Sequence, residues 1–299
     1  QVLEHLIFKH FCSFLEDNNH FLSSQHAFWR GLFTTTQLIH TVNHLMVMLD
    51  KGGQIDMVFL HFEKSFDCVS HRHLMLKIQC LFDNPRIVQW LDSYLTRRRQ
   101  FVHVGNSDSA FASVLSGVPQ TSVLGPLLFL IYNNDLQITS TVCCRLFADD
   151  CVAYMHIQSV KDQQILNHFL AAVSNWCSTW LMRLTVSKCV QMSVTRKKEP
   201  LVCTYSINNA PLASVDQFKY LGLHISSTLS WSGHVQFIVS KALRKLYMQK
   251  NRMMHCTLKT KLVAYMTVVR PLLEYADVVW DPHTKCDIDC IERVQKKKH

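Results

Sequence analysis

The stretch CCRLFADDCVAY, residues 143–154, constrains the fold more than any other part of the chain. Two apolar, strand-prone runs flank a pair of adjacent carboxylates, Asp149 and Asp150. A strand, a tight turn and a second strand are the pattern of an antiparallel hairpin. Such a hairpin holds both carboxylates at one rigid point, and carboxylates are ligands that Mg²⁺ prefers. Because Asp is also common in turns, the pair taken alone favours an ordinary polar turn.

The composition favours a folded domain and is compatible with a polyanionic partner. Of the 299 residues, 48% are hydrophobic and 18% charged, which suits one large domain or two smaller ones. The formal net charge of +9 is typical of nucleic-acid-binding proteins and also of basic proteins that lack such a partner. Basic clusters at 97–99, 196–198 and 296–298 could bind phosphates or could be solvated loops.

No targeting or membrane segment is predicted. The longest apolar stretch, residues 123–132, is too short to span a bilayer. The first residues lack a basic region and a small-residue cleavage site, so no secretory signal is expected. The chain also starts within a helical pattern and without Met, which is typical of a truncated or processed chain.

The 12 cysteines do not indicate a disulfide scaffold. Several lie in apolar, strand-like runs, which is typical of reduced, buried thiols. His283, Cys286 and Cys290 could contribute to a zinc site, but a fourth ligand at a familiar spacing is missing.

Hydrophobic periodicity predicts a mixed α and β chain. The helices are expected at 2–15, 35–49, 71–78, 165–180 and 232–270, with an apolar helix after the Gly- and Pro-punctuated loop that begins at 116. The strands are expected at 57–60, 101–104, 111–115, 189–194 and 218–225, in addition to the hairpin. A soft domain boundary is predicted near 228, where the pattern becomes entirely helical.

Several segments in a fixed order identify a family resemblance. They are SSQHAFWRG (23–31), VFLHFEKSFDCVSH (58–71), SGVPQTSVLGPLLFLIYNNDL (116–136), LFADD (146–150), LTVSKC (184–189), FKYLGLHIS (218–226) and RPLLEYADVVWDP (270–282). In these segments the chain resembles the reverse transcriptases of non-LTR, LINE-type retrotransposons, particularly the jockey-like clades. The resemblance runs essentially from end to end.

The resemblance implies an α+β right-hand polymerase. Partial fingers and an antiparallel-sheet palm would occupy residues 1–228, and a helical, thumb-like region residues 229–299. The implied activity is RNA-directed DNA polymerisation with Mg²⁺ or Mn²⁺ as cofactor. The implied partners are an RNA template, a DNA primer and deoxynucleoside triphosphates, with no membrane and no protein partner. The implied location is intracellular, in the nucleus.

The resemblance also assigns roles to particular residues. Asp149 and Asp150 would be catalytic, metal-binding carboxylates, and Lys188 would lie near the triphosphate and protonate the leaving pyrophosphate. The nucleotide-binding residues would be Arg30, Phe66, Gly117, Pro119 and Gln120. The primer grip would comprise Tyr220, Leu221 and Gly222. Read without the family, Phe66 is an ordinary core residue and Lys188 a surface cation.

Three positions depart from the family pattern. His61 stands where the family has its third catalytic carboxylate, and an imidazole brings no negative charge and suits softer metals. Thr121 replaces a glycine in the loop near the nucleotide, and Trp29 replaces a phosphate-binding cation. Asp56 is too far along its strand to compensate for His61, and Glu63 would be offset by roughly 6–7 Å.

These departures predict a degenerate reverse transcriptase domain with impaired catalysis. The alternative is a catalytically dead remnant that still binds nucleic acid. A relic without any cellular function is a third reading.

Overall fold

The computed structural model describes residues 2–136 and 141–296. The chain divides into two compact units. The first comprises Gln1–Phe33, Asp56–Gln191 and Leu201–Ala213, and the second comprises Thr34–Ile55, Met192–Pro200 and Ser214–His299. The division into fingers, palm and thumb at residue 228 stays a prediction.

The helices begin at residues that suit helix starts. Ser70 and Asn84 cap two of them through side-chain oxygens, and Pro85 occupies a first helical position, where its missing N–H costs nothing. In chain order the helices are α1 (Val2–Asp17), α2 (Thr34–Asp50), α3 (His71–Leu81), α4 (Pro85–Leu95), α5 (Leu124–Asn133), α6 (Val160–Thr179), α7 (Ser232–Arg252), α8 (Leu258–Ala264), α9 (Arg270–Glu274), α10 (Asp277–Trp280) and α11 (Lys285–Lys296). A 3₁₀ turn at Val186–Lys188 and a π-helical segment at Tyr265–Val269 lie between them.

The strands form one larger sheet and several two-stranded ribbons. In chain order they are β1 (Gln54–Leu60), β2 (Arg99–Gln100), β3 (His103–Val104), β4 (Ser107–Asp108), β5 (Ala112–Ser113), β6 (Cys143–Phe147), β7 (Asp150–Ile157), β8 (Val190–Thr195), β9 (Ser206–Ile207), β10 (Ala210–Pro211), β11 (Ala213–Ser214), β12 (Gln217–Tyr220) and β13 (Leu223–Ser226). The five-stranded sheet has the order β11-β8-β1-β7-β6. The ribbons pair β9 with β10, β12 with β13, β2 with β5, and β3 with β4.

The position of β1 at the centre of the sheet explains why its sequence is nearly all apolar. Each of its seven residues is buried, because the strand has neighbours on both sides. Its one carboxylate, Asp56, accepts a hydrogen bond from the hydroxyl of Tyr205 at 2.5 Å. That bond satisfies a buried polar group and keeps Asp56 in the core.

Helix α5 lies at the centre of the first unit. Nine of its ten residues are buried, with Pro126 partly exposed, and it packs against α1 and α3. A helix that is apolar all round must be covered on every side, which the helices around it achieve together. The result is a single apolar cluster that extends beneath the β6–β7 hairpin.

The second unit is mainly helical. Helix α7 buries Val235, Ile238, Ala242 and Leu246 along one stripe and packs against α9 and α11. Helix α2 buries a similar stripe and packs against α10. The spacing of three or four residues is that of amphipathic helices.

The α+β class is confirmed, and two local expectations are refined. The strands expected at 101–104 and 111–115 form a hairpin, with a tighter turn at Gly105-Asn106 and paired ends at β2 and β5. Helix α4 was not predicted, although Asn84-Pro85 is a start signal. Within the described residues, every helix is too short or too polar to cross a bilayer. Lys297 and Lys298 of the last basic cluster lie outside the described residues.

Candidate active site

The two acidic residues lie at the tip of an antiparallel hairpin. β6 pairs with β7 so that Phe147 is opposite Asp150 and Leu146 is opposite Cys151. The turn therefore has two central residues, Ala148 and Asp149, and Ala148 adopts a φ of +56°. A positive φ at the first central residue gives the backbone twist that strands of a short hairpin need. The predicted strand–turn–strand is confirmed.

Two buried amide side chains hold this turn. The Oε1 atom of Gln25 accepts hydrogen bonds from the N–H groups of Ala27 and Ala148, each at 3.0 Å. The Nδ2 group of Asn133, in the last turn of α5, donates to the carbonyl of Ala148 at 2.9 Å. Both peptide groups around the positive φ of Ala148 are therefore bonded. Sequence reasoning missed both residues as site residues.

The two carboxylates have different surroundings. Asp149 accepts a 2.6 Å hydrogen bond from the hydroxyl of Ser65. Asp150 is exposed overall, yet partial desolvation of its carboxyl raises its pKa, the charge of Asp149 raises it further, and His61 lowers it. Two like charges on neighbouring residues each favour protonation of the other. The turn therefore concentrates negative charge, as a cation site would.

His61 lies beside the acidic pair. It directly follows β1, the neighbour of β7, and it is close enough for its charge to lower the pKa of Asp150. Its N–H donates to the Sγ atom of Cys189 at 3.3 Å, and its carbonyl accepts from the N–H of Thr185 at 2.9 Å. These bonds tie His61 to the 3₁₀ turn that carries the exposed side chain of Lys188. His61 is therefore near Asp150 on one side and bonded beside the turn of Lys188 on the other, and the catalytic roles of Asp149, Asp150 and Lys188 stay predictions.

The donor set does not fit a pair of Mg²⁺ ions. Across residues 2–136 and 141–296, no three His, Cys, Asp or Glu side chains are arranged to hold a metal ion. Mg²⁺ prefers oxygen ligands, and His61 offers only nitrogen. Asp56 is bonded to Tyr205 in the core, and Glu63 does not complete a cluster with the acidic pair. Among the described residues, His283, Cys286 and Cys290 do not form a group that could hold a zinc ion.

Gly117 lies where only glycine fits. Its φ is +87°, and a Cβ built on it would lie 2.9 Å from the backbone Cα and carbonyl oxygen of Asp67. Its N–H donates to the carbonyl of Val69, and its carbonyl bonds to the Nε2 atom of His71 at 2.8 Å. The loop after β5 is thus pressed against the turn after β1, as a close backbone approach requires.

The other residues expected at the nucleotide lie around the same loop. The ring of Phe66 is half-buried and stacks on Phe129 of α5, with centroids 4.2 Å apart. Gln120 is exposed, and its Nε2 group donates to Asp67 at 2.8 Å. The carbonyl of Pro119 accepts from the hydroxyl of Ser122 at 2.7 Å.

A cavity of about 660 Å³ opens beside this loop. Its cationic lining comes from Lys64, Arg98 and Arg99, and Gln120 lines its wall. Asp67 also lines the cavity, so three cations and one carboxylate leave a net positive lining, which suits an anionic ligand such as a phosphate chain. The nucleotide-binding role of Phe66, Gly117, Pro119 and Gln120 stays a prediction.

Two departures from the family pattern have visible structural consequences. Thr121 adopts a φ of +62°, which is a true outlier for a β-branched residue and costs nothing for the family's glycine. Trp29 is half-buried and packs edge-to-face on Phe21 at 5.2 Å, so it serves the core. Arg30, the next residue, is exposed.

The residues predicted to grip the primer lie in the second unit. Leu221 and Gly222 form the two-residue turn between β12 and β13, with φ values of +45° and +88°. The hydroxyl of Tyr275 donates to the carbonyl of Leu221 at 2.7 Å. The hydroxyl of the buried Tyr220 accepts from the Nε2 group of Gln37 at 3.3 Å. The hydrogen bond from Tyr275 holds this turn, and its role in gripping a primer stays a prediction.

Reduced thiols lie beneath the acidic turn. The Sγ atoms of Cys144 and Cys151, on the two strands of the hairpin, are 3.7 Å apart, and both residues are buried. The hydrogen bond with Cys144 and burial raise the pKa of Cys151 well above its usual value. The expectation of buried, free thiols holds for Cys144, Cys151 and Cys189, whereas Cys143 is only half-buried.

Comparison with known proteins identifies the family. A family model described as reverse transcriptase (RNA-dependent DNA polymerase) matches residues 7–225, which is more than half of the chain. The chain belongs to the reverse transcriptase family. The β6–β7 turn lies within the matched residues, and its role in catalysis stays a prediction.

The chain is similar to the polymerases of particular mobile elements. The domain is 26% identical over 287 residues to "Probable RNA-directed DNA polymerase from transposon BS" of Drosophila melanogaster, covering 91% of this chain and 32% of that protein. It is 25% identical over 279 residues to "RNA-directed DNA polymerase from mobile element jockey" of the same organism, covering 88% of this chain and 30% of that protein. The chain thus spans about a third of the length of these relatives. The predicted resemblance to jockey-like elements is confirmed.

A solved structure supports the polymerase fold. The structure of a telomerase from Candida tropicalis in complex with a TWJ fragment of telomeric RNA has a TM-score of 0.55 to this reverse transcriptase domain. It covers 99% of this chain and 54% of the telomerase chain, at 10% sequence identity. At that identity the likeness shows the fold alone, and it confirms the predicted fold class.

Proposed function

We propose that this reverse transcriptase domain descends from an RNA-directed DNA polymerase and that its own polymerase activity is impaired. One observation carries the proposal: His61 occupies the neighbourhood of Asp149 and Asp150 where a third carboxylate would be needed. The rest of the acidic turn is well built, since Gln25 and Asn133 hold its backbone. The defect therefore concerns charge and ligand number, and the fold is intact.

The charge balance explains why activity should suffer. Two Mg²⁺ ions held close together repel each other strongly, so their site needs dense negative charge. Two carboxylates and an imidazole supply less of it than three carboxylates. We expect Asp149 and Asp150 to bind Mg²⁺ or Mn²⁺ weakly and to hold no stable pair of ions.

The proposed substrates are an RNA template, a DNA primer and deoxynucleoside triphosphates. The cavity lined by Lys64, Arg98 and Arg99 supports an anionic ligand beside Gln120. Lys188 is exposed near His61, where it could supply a proton to a leaving phosphate. Arg30 would contact phosphates, and the turn at Leu221-Gly222 would hold the primer end.

Primer extension on an RNA template tests the proposal. With Mg²⁺ or Mn²⁺, the chain should extend a DNA primer at or near background. His61→Asp should give partial recovery, of roughly tenfold or more, because one missing transition-state interaction commonly costs that much. Thr121→Gly should raise activity further in the repaired background.

Two controls separate repair from other effects. His61→Asn adds no charge and should leave extension at background. Asp149→Ala in the His61→Asp background should abolish the recovered activity. Efficient extension by the unchanged chain would show that His61 is tolerated and that the proposed impairment is wrong.

A second candidate function is nucleic-acid binding without polymerisation. The three exposed arginines at 97–99, together with the incomplete donor set, favour it. Binding of a primer–template duplex should be largely independent of sequence and should weaken steeply as salt rises. Absence of duplex binding at low salt would exclude this candidate. A nuclear location, proposed from the family, can be checked by imaging the tagged chain in cells.

A further inference from the structure

The ribbon between α4 and α5 is almost wholly exposed. Residues 97–113 are all exposed to solvent, although they form two short strand pairs and include four large apolar side chains. The exposed apolar residues of this ribbon are Phe101, Val102, Val104 and Phe111, at 47%, 64%, 70% and 67% exposure. Exposed aromatic rings are not stabilised by burial in the core, so a cluster of them on one ribbon indicates a binding surface.

The two phenylalanines form a cross-strand pair. Arg99 pairs with Ser113 and Gln100 with Ala112, so Phe101 and Phe111 are next in register. Their ring centroids are 5.0 Å apart with an interplanar angle of 61°. In this edge-to-face arrangement the rings support each other and still present open faces to solvent.

A bulge separates this pair from the tip of the ribbon. The N–H of Ser109 donates to the carbonyl of Val102 at 2.9 Å, and the N–H of Val102 donates to the hydroxyl of Ser109 at 2.8 Å. His103 then pairs with Asp108, so the returning strand has one extra residue. A bulge of this kind bends and twists a ribbon and aims its side chains.

Cationic side chains lie next to the aromatic pair. Arg99 is two residues before Phe101, so both side chains lie on the same face, with their Cα atoms roughly 6–7 Å apart. Arg98 lies over the ring of Tyr94 at 5.9 Å. In the part of the chain that the structure describes, none of the three arginines at 97–99 is within ion-pair distance of a carboxylate. Their charges are available to an external anion.

We propose that this ribbon binds single-stranded nucleic acid, with bases stacked on Phe101 and Phe111 and phosphates held by Arg98 and Arg99. Stacking platforms beside a cationic groove are what unpaired strands require, because every base has an open π-face. The cavity at the base of the ribbon is lined by the same two arginines, so a strand can continue from it along the ribbon.

The surface does not suit a protein partner equally well. Val102 and Val104 lie on the other face, so the aromatic face is narrow and bordered by Arg99 and Ser113. A stable protein interface buries about 800 Å² on each partner, which is more than two phenylalanine rings provide. The charge next to the rings favours an anion.

The inference rests on the proposed nucleic-acid role but concerns an unpaired strand instead of the primer–template duplex. The test uses fluorescence anisotropy with a fluorescein-labelled oligouridylate of about 12 nucleotides. An abasic oligomer with the same number of phosphates measures the charge contribution alone. Phe101→Ala and Phe111→Ala should each weaken oligouridylate binding by about 5- to 100-fold, and they should leave abasic binding unchanged.

Matched variants define the mechanism. Phe111→Tyr keeps an aromatic ring and should retain binding within about twofold. Val102→Ala, on the opposite face of the same ribbon, should retain binding as well. Arg99→Gln should weaken binding of both oligomers. It should also reduce the slope of log affinity against log salt concentration by about one unit.

Several results would overturn the inference. Stacking would be excluded if Phe111→Ala weakened binding of oligouridylate and of the abasic oligomer equally, or if it did not weaken oligouridylate binding. It would also be excluded if Val102→Ala weakened oligouridylate binding as much as Phe111→Ala does. A dimer that Phe111→Ala converts to a monomer would assign the ribbon to a second copy of the chain. Duplex binding should stay within about twofold in Phe111→Ala. If the unchanged chain fails to bind duplex yet binds oligouridylate, the duplex-binding candidate function fails and this inference stands.

Discussion

Two loops of the first unit each contain a non-glycine residue with a left-handed φ, but in the described part of the chain only one of these residues is held by hydrogen bonds. Ala148 in the acidic turn and Thr121 in the loop after Gly117 both have a left-handed φ, of +56° and +62°. At Ala148, buried amides bond the peptide groups on both sides. Thr121 is exposed, and no hydrogen bond to it is found among the described residues. A strained conformation persists in the first case because its surroundings determine it, whereas in the second it is a net cost.

The largest expected effect tests the support of the acidic turn. Gln25→Leu should lower the free energy of unfolding by about 2–5 kcal/mol, because the buried N–H groups of Ala27 and Ala148 would each lose their acceptor. Urea denaturation measures the change. Gln120→Leu, which removes an exposed amide, should cost less than about 0.5 kcal/mol. Equal losses in the two variants would mean that the acidic turn does not depend on Gln25.

A second substitution tests the close approach in the other loop. Gly117→Ala should cost about 2–4 kcal/mol, because the new Cβ would meet the backbone of Asp67 and the residue must keep a positive φ. Gly105→Ala is the matched control. Gly105 has a φ of +61° but nothing within 4 Å of a built Cβ, so about 1 kcal/mol is expected from backbone strain alone. Thermal unfolding of both variants separates the clash from the strain.

A gain in stability is expected at Thr121. Thr121→Gly should stabilise the chain by about 0.5–1 kcal/mol, because glycine adopts a positive φ without strain and this gain exceeds its entropic cost. Thr121→Ala, which keeps a Cβ, should gain less. Differential scanning calorimetry would report the melting temperatures in the order Gly, Ala, Thr. The reverse order would mean that this loop does not strain residue 121.

The smallest effect concerns the electrostatics of the acidic turn. The pKa of Asp150 is raised in the folded state, mainly by desolvation and by Asp149, so the folded state binds this proton more tightly than the unfolded state does. Protonated Asp150 therefore stabilises the folded state below the unfolded pKa. This contribution to the free energy of unfolding is lost as pH rises through the folded pKa. Asp150→Asn should therefore stabilise the chain at pH 7 by a few tenths of a kcal/mol, given solvent screening. The gain should vanish as pH falls towards 4, and a gain that persists there would have another cause.

The sequence was sufficient for features that depend on local order. The apolar runs on both sides of Asp149 and Asp150 predicted the β6–β7 hairpin, and the positions of His61 and Lys188 near it followed from the family pattern. Gly117 and the turn at Leu221-Gly222 were singled out from the family, and their positive φ values give them a physical reason.

Other features depend on contacts between distant residues, which periodicity does not reveal. Gln25 bonds to Ala148 across 123 positions, and nothing in the local pattern distinguishes it from a surface glutamine. Asn133 offered a weak signal, because a buried amide at the end of an all-apolar helix needs a partner. Trp29 looked like a lost phosphate contact, and only its packing on Phe21 shows that it has gained a place in the core.

The buried thiols under the acidic turn make the hairpin a reporter of its own opening. A thiol reagent attacks the thiolate, and burial with a raised pKa keeps Cys151 unreactive while the hairpin is closed. The exposed Cys80, Cys256 and Cys286 should be labelled at once, whereas the five buried thiols, among them Cys144 and Cys151, should react only in transiently open molecules. The slow labelling of Cys144 and Cys151, followed residue by residue, therefore gives the free energy of local opening at the site itself, separate from global unfolding.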